Sequence, residues 1–580
     1  MKKRLLTMLF IGFNSIFAQQ NVLNQQILQK ATTAQDKLRL LNNHKAMLPL
    51  KDIKDLKIAS IHFQDAYAHA FDSIVNKYSG VTSIDASHMR LTTSFNALHD
   101  QLKLYNQLFF SFSTNTRFNP ALIGFLKDMA SINKVVIRLT GNEKSLQQLK
   151  ALNIPLIYLP DDNQESAAVA AQAIFGGIAV KGIKKIRLGY SLPESVGVNG
   201  NQLDKIDSLI KAGIAAHSAP AVVVLLVKDG RVILHRAYGK HTYEGKMATK
   251  PDDIFDMASV TKVTATTPAI MRLYDEKKIN LDSAISKYVA LLRNVPDKRD
   301  VKIKEALLHE AGFTPYIKFY EQLKPGDTSS DSSAIYPTKV ADGYYLRANY
   351  FNDVMWPVTL KSKSETRGKY VYSDLSMYMM KEVVEEVAQQ KLNDFVANEF
   401  YLPLGMRSSG FLPRNRFNKS RIVPTTTNDN WFRDMLVQGY VNDPGAAMAG
   451  GVEGHAGLFA NANDLAIFYQ MLINQGNYGG HQYLEPGTVS LFTSRQSKVS
   501  MRGYGFDRIS ADQKPGNPRS AQGFGHSGYT GTYVWVDPKY NLIYIFLSNR
   551  VYPDDGKTFG PSKINLRPAV LDIFYEAIIK

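Results

Sequence analysis

The chain has 580 residues, 44% hydrophobic and 21% charged, ordinary values for a globular protein of roughly two to four domains. It has no cysteine, which excludes a disulfide framework, a thiol nucleophile and a thiolate metal site. Its net charge of +17 is spread along the chain with no basic–aromatic motif, so no nucleic-acid partner is expected, and an anionic envelope polymer is the anionic partner left open.

Residues 1–18 begin with Lys2-Lys3-Arg4, continue through a short apolar run from Leu5 to Phe13, and end at Phe17-Ala18. This predicts a cleavable export signal, too short to span a bilayer, and hence a periplasmic or secreted protein. Residues 19–39 form a polar, helical lead-in. From 40 to 195, strand-like runs such as "LKIASIHF", "YNQLFFSFST", "KVVIRLTG" and "IPLIYLP" alternate with helical stretches. That alternation predicts a parallel sheet covered on both faces. The strand ends carry no Gly-rich phosphate motif, so a scaffold role is expected there.

"YSLPESVGVNGNQ" (190–202) reads as a linker. Beyond it, 196–580 reads as an α+β domain. "AVVVLLVKDGRVILHRAYG" is a hairpin around Asp229-Gly230, and "TGTYVWVDPKYNLIYIFLSNR" supplies further strands before a closing helix. An antiparallel sheet built from both ends would enclose a helical middle, roughly 257–500. The Tyr-, Pro-, Asp- and Ser-rich insertion at 316–370 has the length of a lid or binding loop.

Ser-x-x-Lys pairs place a hydroxyl and an ammonium on one helix face. Three occur: Ser131/Lys134, Ser208/Lys211 and Ser259/Lys262. The first two lie on ordinary amphipathic helices. The third follows the apolar "FDMA", which predicts a buried lysine that needs partners. Pro268 should kink its helix. Downstream, "YSD" offers Tyr372 beside the hydroxyl and Asp374 to hold Lys262. "HSG" offers His526, Ser527 and Gly528, with the amide of Tyr529 poised for an oxyanion. Gly528 is expected to let a substrate backbone approach closely. His309 and His455 read as loop braces, and Trp431 with the aromatics of 342–345 as candidate pocket walls. No His/Asp/Glu group shows metal spacing, so no metal or other cofactor is expected.

"SVTK", "YSD" and "HSG", in that order, resemble the three motifs of the serine beta-lactamase and penicillin-binding-protein superfamily, most of all its class C branch with esterase and D-aminopeptidase relatives. Pro268, "LLHEAGF", "PLGM", "GHAGLF" and "LSNRVYP" resemble the same branch. The resemblance implies an acyl-enzyme on Ser259, with Lys262 and Tyr372 moving its proton and the amides of Ser259 and Tyr529 forming the oxyanion hole. Two departures stand out. His526 takes the place of a lysine, which weakens carboxylate anchoring. Asp374 takes the place of an asparagine, which should raise the Lys262 pKa and favour Tyr372 as the proton acceptor. Both suit a peptidase or esterase on a cell-wall peptide, small-molecule amide or ester better than a potent beta-lactamase. A non-catalytic penicillin-binding-like protein is the bland alternative.

"LLNNHKAMLPLKDIKDLKIASI" (40–61) resembles the opening of the C-terminal α/β sandwich domain of family 3 glycoside hydrolases. That resemblance implies a glycan-related role, of beta-N-acetylhexosaminidase type. Glycoside cleavage in that family uses an aspartate on a preceding barrel, which needs about 200 residues or more. About forty precede the domain here, so a remnant scaffold or glycan-holding module is expected.

Overall fold

The computed structural model describes residues 22–89, 94–114, 116–141, 143–429, 432–508, 518–560 and 564–578. The expected export signal lies outside them. A six-stranded sheet forms in the first domain, in the order Arg39–Leu41, Leu156–Leu159, Lys134–Thr140, Gln107–Phe112, Ile58–Phe63, Val81–Asp85. All its pairings are parallel except that of the edge strand Arg39–Leu41. Successive residues alternate between two cores. Phe109, Val136 and Ile157 pack one face, while Leu108, Phe110, Val135 and Ile137 pack the other. Burial on both faces is why these strands read as continuous apolar runs.

The second domain is built on a seven-stranded sheet in the order Asp507–Arg508, Phe524–Ser527, Tyr533–Asp537, Leu542–Ser548, Ala221–Lys228, Arg231–Gly239, Gly189–Tyr190. In Ala221–Lys228, Val223, Leu225 and Val227 face the helical middle, and Val222, Val224 and Leu226 face helices Lys205–Ala215 and Leu566–Ala577. The hairpin turn at Asp229-Gly230 has φ of +51° and +68°, as a tight two-residue turn requires.

Two segments carry more order than the sequence pattern alone records. Residues 190–202 are not a loose linker. Gly189–Tyr190 pairs in parallel with Arg231 and Val232, so the connection is stitched into the second sheet. The 316–370 insertion folds into its own small sheet of Thr328–Ser329, Thr338–Ala341 and Tyr344–Leu346, followed by the helix Trp356–Lys361. Leu346, Tyr350 and Met355 give it a core shared with Ile422, Val441 and Phe459.

Candidate active site

The nucleophile candidate is set by a tightly held turn. The short strand Phe255–Asp256 pairs with Phe459–Ala460. The Asp256 carboxylate then accepts the amides of Ala258 at 2.8 Å and Asn442 at 2.7 Å. Burial raises its pKa to about 6. Thr530 and Thr532 hydroxyls donate to the carbonyls of Asp256 and Met257 at 2.8 and 2.9 Å. Ala258 is thereby held at φ +46°, a left-handed conformation that an alanine adopts only under such constraint. Ser259 follows, partly exposed, and the chain enters a helix. Pro268 does not kink that helix in the ordinary way. Lys262–Thr266 widens into a π-turn, and Pro268 falls in the first turn of the α-helix Thr267–Asp275. The wide turn accommodates the missing N–H and the bulk of the ring.

Lys262 is fully buried. Its Nζ donates to Ser259 Oγ at 2.9 Å, to Asp374 Oδ1 at 2.7 Å and to the His455 carbonyl at 3.2 Å. Burial opposes its charge, but Asp374 and Tyr372 outweigh burial and raise its pKa. The Tyr372 hydroxyl lies 3.0 Å from Ser259 Oγ. Burial raises the Tyr372 pKa despite the opposing pull of Lys262, so the phenol stays protonated at rest. The segment that carries both partners is pinned from behind. The Ser373 amide donates to His309 Nδ1 at 3.1 Å, its hydroxyl to the Thr314 carbonyl at 2.7 Å, and the Asp374 amide to the Pro315 carbonyl at 2.9 Å. His309 packs on the Tyr372 ring at 4.5 Å, and burial keeps its pKa well below the usual histidine value. The other two Ser-x-x-Lys pairs stay apart from any such cluster. Ser208 and Lys211 are exposed, and Ser131 Oγ donates to the Asp128 carbonyl.

Strand Phe524–Ser527 brings the third motif alongside. His526 Nδ1 donates to the Ser527 carbonyl at 2.7 Å, and Asp507 lies 3.8 Å from its Nε2. Burial drives its pKa down to about 4. His526 is therefore neutral at physiological pH. Ser527 is exposed. Gly528 is also required by its own packing: a Cβ there would stand 2.0 Å from Thr532 Oγ1 and 2.5 Å from the Met257 carbonyl. Among the described residues, neither the Ser259 nor the Tyr529 backbone N–H makes a hydrogen bond. Both residues line one cavity, as the two donors of an oxyanion hole must.

A cavity of about 400 Å³ opens over Ser259. Its walls include Tyr316, Tyr320, Tyr372, Asp374, Asn442, Asp443, His455 and Tyr529. Tyr316 and Tyr320 come from the 316–370 insertion expected as a lid or binding loop, whereas the sequence pattern singled out neither Asn442 nor Asp443. The signal for Asp443 was its place before Pro444, where its carboxylate caps the helix Pro444–Met448 through the Ala446 amide at 2.8 Å. The same oxygen holds His455 Nε2 at 2.8 Å. Burial opposes a charge on His455, yet Asp443 and Asp374 raise its pKa. His455 also stacks on Tyr378 at 4.7 Å, so it braces the loop whose carbonyl holds Lys262. Trp431 lies outside the described residues. Tyr344 packs against Phe432 at 5.5 Å and is absent from the cavity wall. Asp374, Asp443 and His455 place one ligand-type atom each within 4.8 Å of the others. That group is already paired internally, by Lys262 on Asp374 and by His455 on Asp443.

The sequence model of the Beta-lactamase family matches residues 206–564. The chain belongs to the beta-lactamase family. A protein of Escherichia coli O157:H7, provisionally named a D-alanyl-D-alanine carboxypeptidase, is 30% identical over 391 residues, 63% of this chain and 86% of the relative. The N-acetylmuramyl-L-alanine amidase of Bacillus subtilis strain 168 is 30% identical over 388 residues, 62% of this chain and 83% of that protein. Among solved structures, a class C beta-lactamase of Rhodobacter sphaeroides superposes with a TM-score of 0.46 at 15% identity, covering 63% of this chain and 99% of that one.

Proposed function

We propose that the protein is an exported serine hydrolase that cleaves cell-wall peptides through an acyl-enzyme on Ser259. The observation that carries this reading is the contact of one serine oxygen with both a buried ammonium and a phenol, at 2.9 and 3.0 Å. The carboxypeptidase and amidase names of the relatives support the substrate class. The 1–18 segment supports export.

Lys262 is held charged and Tyr372 is held protonated, so neither is a free base at rest. The proton therefore moves in concert. As Ser259 Oγ bonds to the carbonyl carbon, its proton passes to the Tyr372 oxygen, and Tyr372 passes its own to the leaving nitrogen as the C–N bond breaks. The Lys262 charge stabilises the negative charge that builds on the two oxygens. The amides of Ser259 and Tyr529 receive the carbonyl oxygen. Water then attacks the ester by the reverse relay. The first domain acts as a scaffold for this site and is assigned no separate activity.

Purified protein should release amino acids or amines from cell-wall peptides, and Ser259→Ala should lower kcat/KM by more than about a thousandfold. Undiminished turnover by that variant would show that the chemistry lies elsewhere.

A further inference from the structure

The Tyr529 amide belongs to the peptide unit that begins at the Gly528 carbonyl. In a trans peptide the C=O and N–H point in opposite directions, so whatever grips the carbonyl also sets the aim of the amide. The Gly528 carbonyl has two donors. The Gly531 amide closes a tight turn on it at 3.1 Å, and Arg567 Nη1 reaches it at 3.3 Å. The same Arg567 nitrogen lies 3.5 Å from the Thr532 carbonyl, which accepts the Gly528 amide at 2.8 Å. The next peptide is held as well, since Arg550 Nη2 donates to the Tyr529 carbonyl at 2.7 Å. The Ser548 hydroxyl holds the far end of the turn, donating to the Gly531 carbonyl at 3.0 Å.

Helix stability does not explain an arginine at 567. The residue sits in the first turn of the helix Leu566–Ala577, where the macrodipole already concentrates positive charge and disfavours a cation. Burial and the neighbouring Arg550 both oppose its charge and lower its pKa. Among the described residues Arg567 forms no ion pair. Arg550 has a carboxylate partner, Asp555 at 3.3 Å, which also accepts the Tyr529 hydroxyl. Two guanidiniums and a helix N-terminus therefore gather beside one turn, with a single carboxylate among them. Such an excess of positive charge is unfavourable at rest and becomes favourable once negative charge develops nearby. In the proposed acylation that charge develops on the carbonyl oxygen received by the Tyr529 amide. A hydrogen bond to a peptide carbonyl also polarises the N–H of the same unit and makes it a stronger donor.

We propose that Arg567 is a positioning residue for the oxyanion hole: through the Gly528 carbonyl it aims and polarises the Tyr529 amide, while Arg550 holds the carbonyl that follows. This rests on the acyl-enzyme reading above and deepens it. Arg567 lies outside the walls of the Ser259 cavity, so it acts through the peptide and not on the substrate.

The test uses the full-length protein and a matched pair of substrates, N-acetyl-D-alanine methyl ester and its thionoester, in which sulfur replaces the carbonyl oxygen. Sulfur is a weak hydrogen-bond acceptor, so the ratio of acylation rates, oxygen ester over thionoester, reports the oxyanion hole itself. That ratio is internal to each protein, so a partial loss of folding does not mimic the result. In Arg567→Met, acylation by the oxygen ester should fall about tenfold or more and acylation by the thionoester less than about threefold, with KM little changed. Arg567→Lys keeps a charge and a donor and should recover part of the ratio.

An unchanged ratio in Arg567→Met, whether both rates fall together or neither falls, would overturn the inference. Persistent fluorophosphonate labelling of Ser259 would then leave the acyl-enzyme reading standing. A parent protein that does not favour the oxygen ester would overturn the inference too. Absence of turnover together with absence of fluorophosphonate labelling at Ser259 would remove the hydrolase reading itself, and the inference with it.

Discussion

Lys262 shows how a residue's meaning depends on its partners. A buried lysine without a counter-charge would lose its proton. Here Asp374, at 2.7 Å, keeps it charged against burial. Removing that carboxylate should reverse the balance. In Asp374→Asn, burial dominates, the Lys262 pKa falls, and the basic limb of the kcat/KM profile should move to lower pH by about a unit or more. An unmoved limb would mean that Lys262 does not shape the profile. Tyr372→Phe keeps the ring packing on His309 but removes the proton relay. It should cost about a hundredfold to ten-thousandfold in acylation, measured by single-turnover kinetics, with the melting temperature little changed. The Ser-x-x-Lys spacing, the burial of Lys262 and the roles offered to Tyr372 and Asp374 were all legible in the sequence. Asp443 was not. Its spacing marks only a helix cap, and its second use, facing the cavity, depends on a chain reversal that no local pattern records.

At the scale of elements, strands were the most legible because both sheets are buried on two faces. A short, continuous apolar run rich in β-branched residues, such as Ala221–Lys228, suits a strand that water touches on neither side. The π-turn at Lys262–Thr266 was not legible, since a proline signals a break without saying how the helix absorbs it. The ordered sheet in 316–370 was hidden for a related reason: its strands are two to four residues long, and its core lies in contacts with Ile422 and Phe459. The Gly528 turn gives a direct test. Gly528→Ala would force a Cβ to within 2.0 Å of Thr532 Oγ1 and 2.5 Å of the Met257 carbonyl, in the turn that carries the Tyr529 amide. It should destabilise by about 1–3 kcal/mol and reduce acylation, read by thermal melting and probe labelling.

A second element-scale prediction concerns the first sheet. His62 bonds Asp65 at 2.9 Å and Asp72 at 3.0 Å, with Arg138 also on Asp65, at the carboxyl ends of two parallel strands. Burial opposes the Asp65 charge, but His62 and Arg138 lower its pKa to about 2. A depressed carboxylate stabilises the fold above its unfolded pKa, and that stabilisation is lost as pH falls toward about 2. It amounts to on the order of 2 kcal/mol. Melting temperature should fall between about pH 4 and pH 2, and Asp65→Asn should flatten that part of the curve. An equal slope in the variant would assign acid sensitivity to other groups.

At the scale of the whole molecule, the two domains are tied by polar contacts as well as by the shared strand at Gly189–Tyr190. Arg407 donates to the Asn76 carbonyl at 2.7 Å, and Asn463 Nδ2 to the Lys77 carbonyl at 3.2 Å. The Leu188 amide donates to the Tyr478 hydroxyl at 3.2 Å, and the Tyr190 hydroxyl to Asn463 Oδ1 at 2.8 Å. Asn463→Ala removes two of these cross-domain bonds, to the Tyr190 hydroxyl and the Lys77 carbonyl. Calorimetry should show one transition in the parent protein and two in the variant. The sequence placed a joint near this point but could not show how stiff it is, because the contacts that stiffen it join residues almost 300 positions apart, as Leu188 and Tyr478 are.

The proposed chemistry depends first on Ser259 as the nucleophile. The most direct measurement is mass mapping of the covalent adduct after brief exposure to a fluorophosphonate or a slow acylating penicillin, followed by acid quench and peptide sequencing. The prediction is one adduct per chain, on the peptide containing Ser259, absent in Ser259→Ala and strongly slowed in Tyr372→Phe. An adduct on any other serine, or none on the folded protein with either reagent, would contradict it.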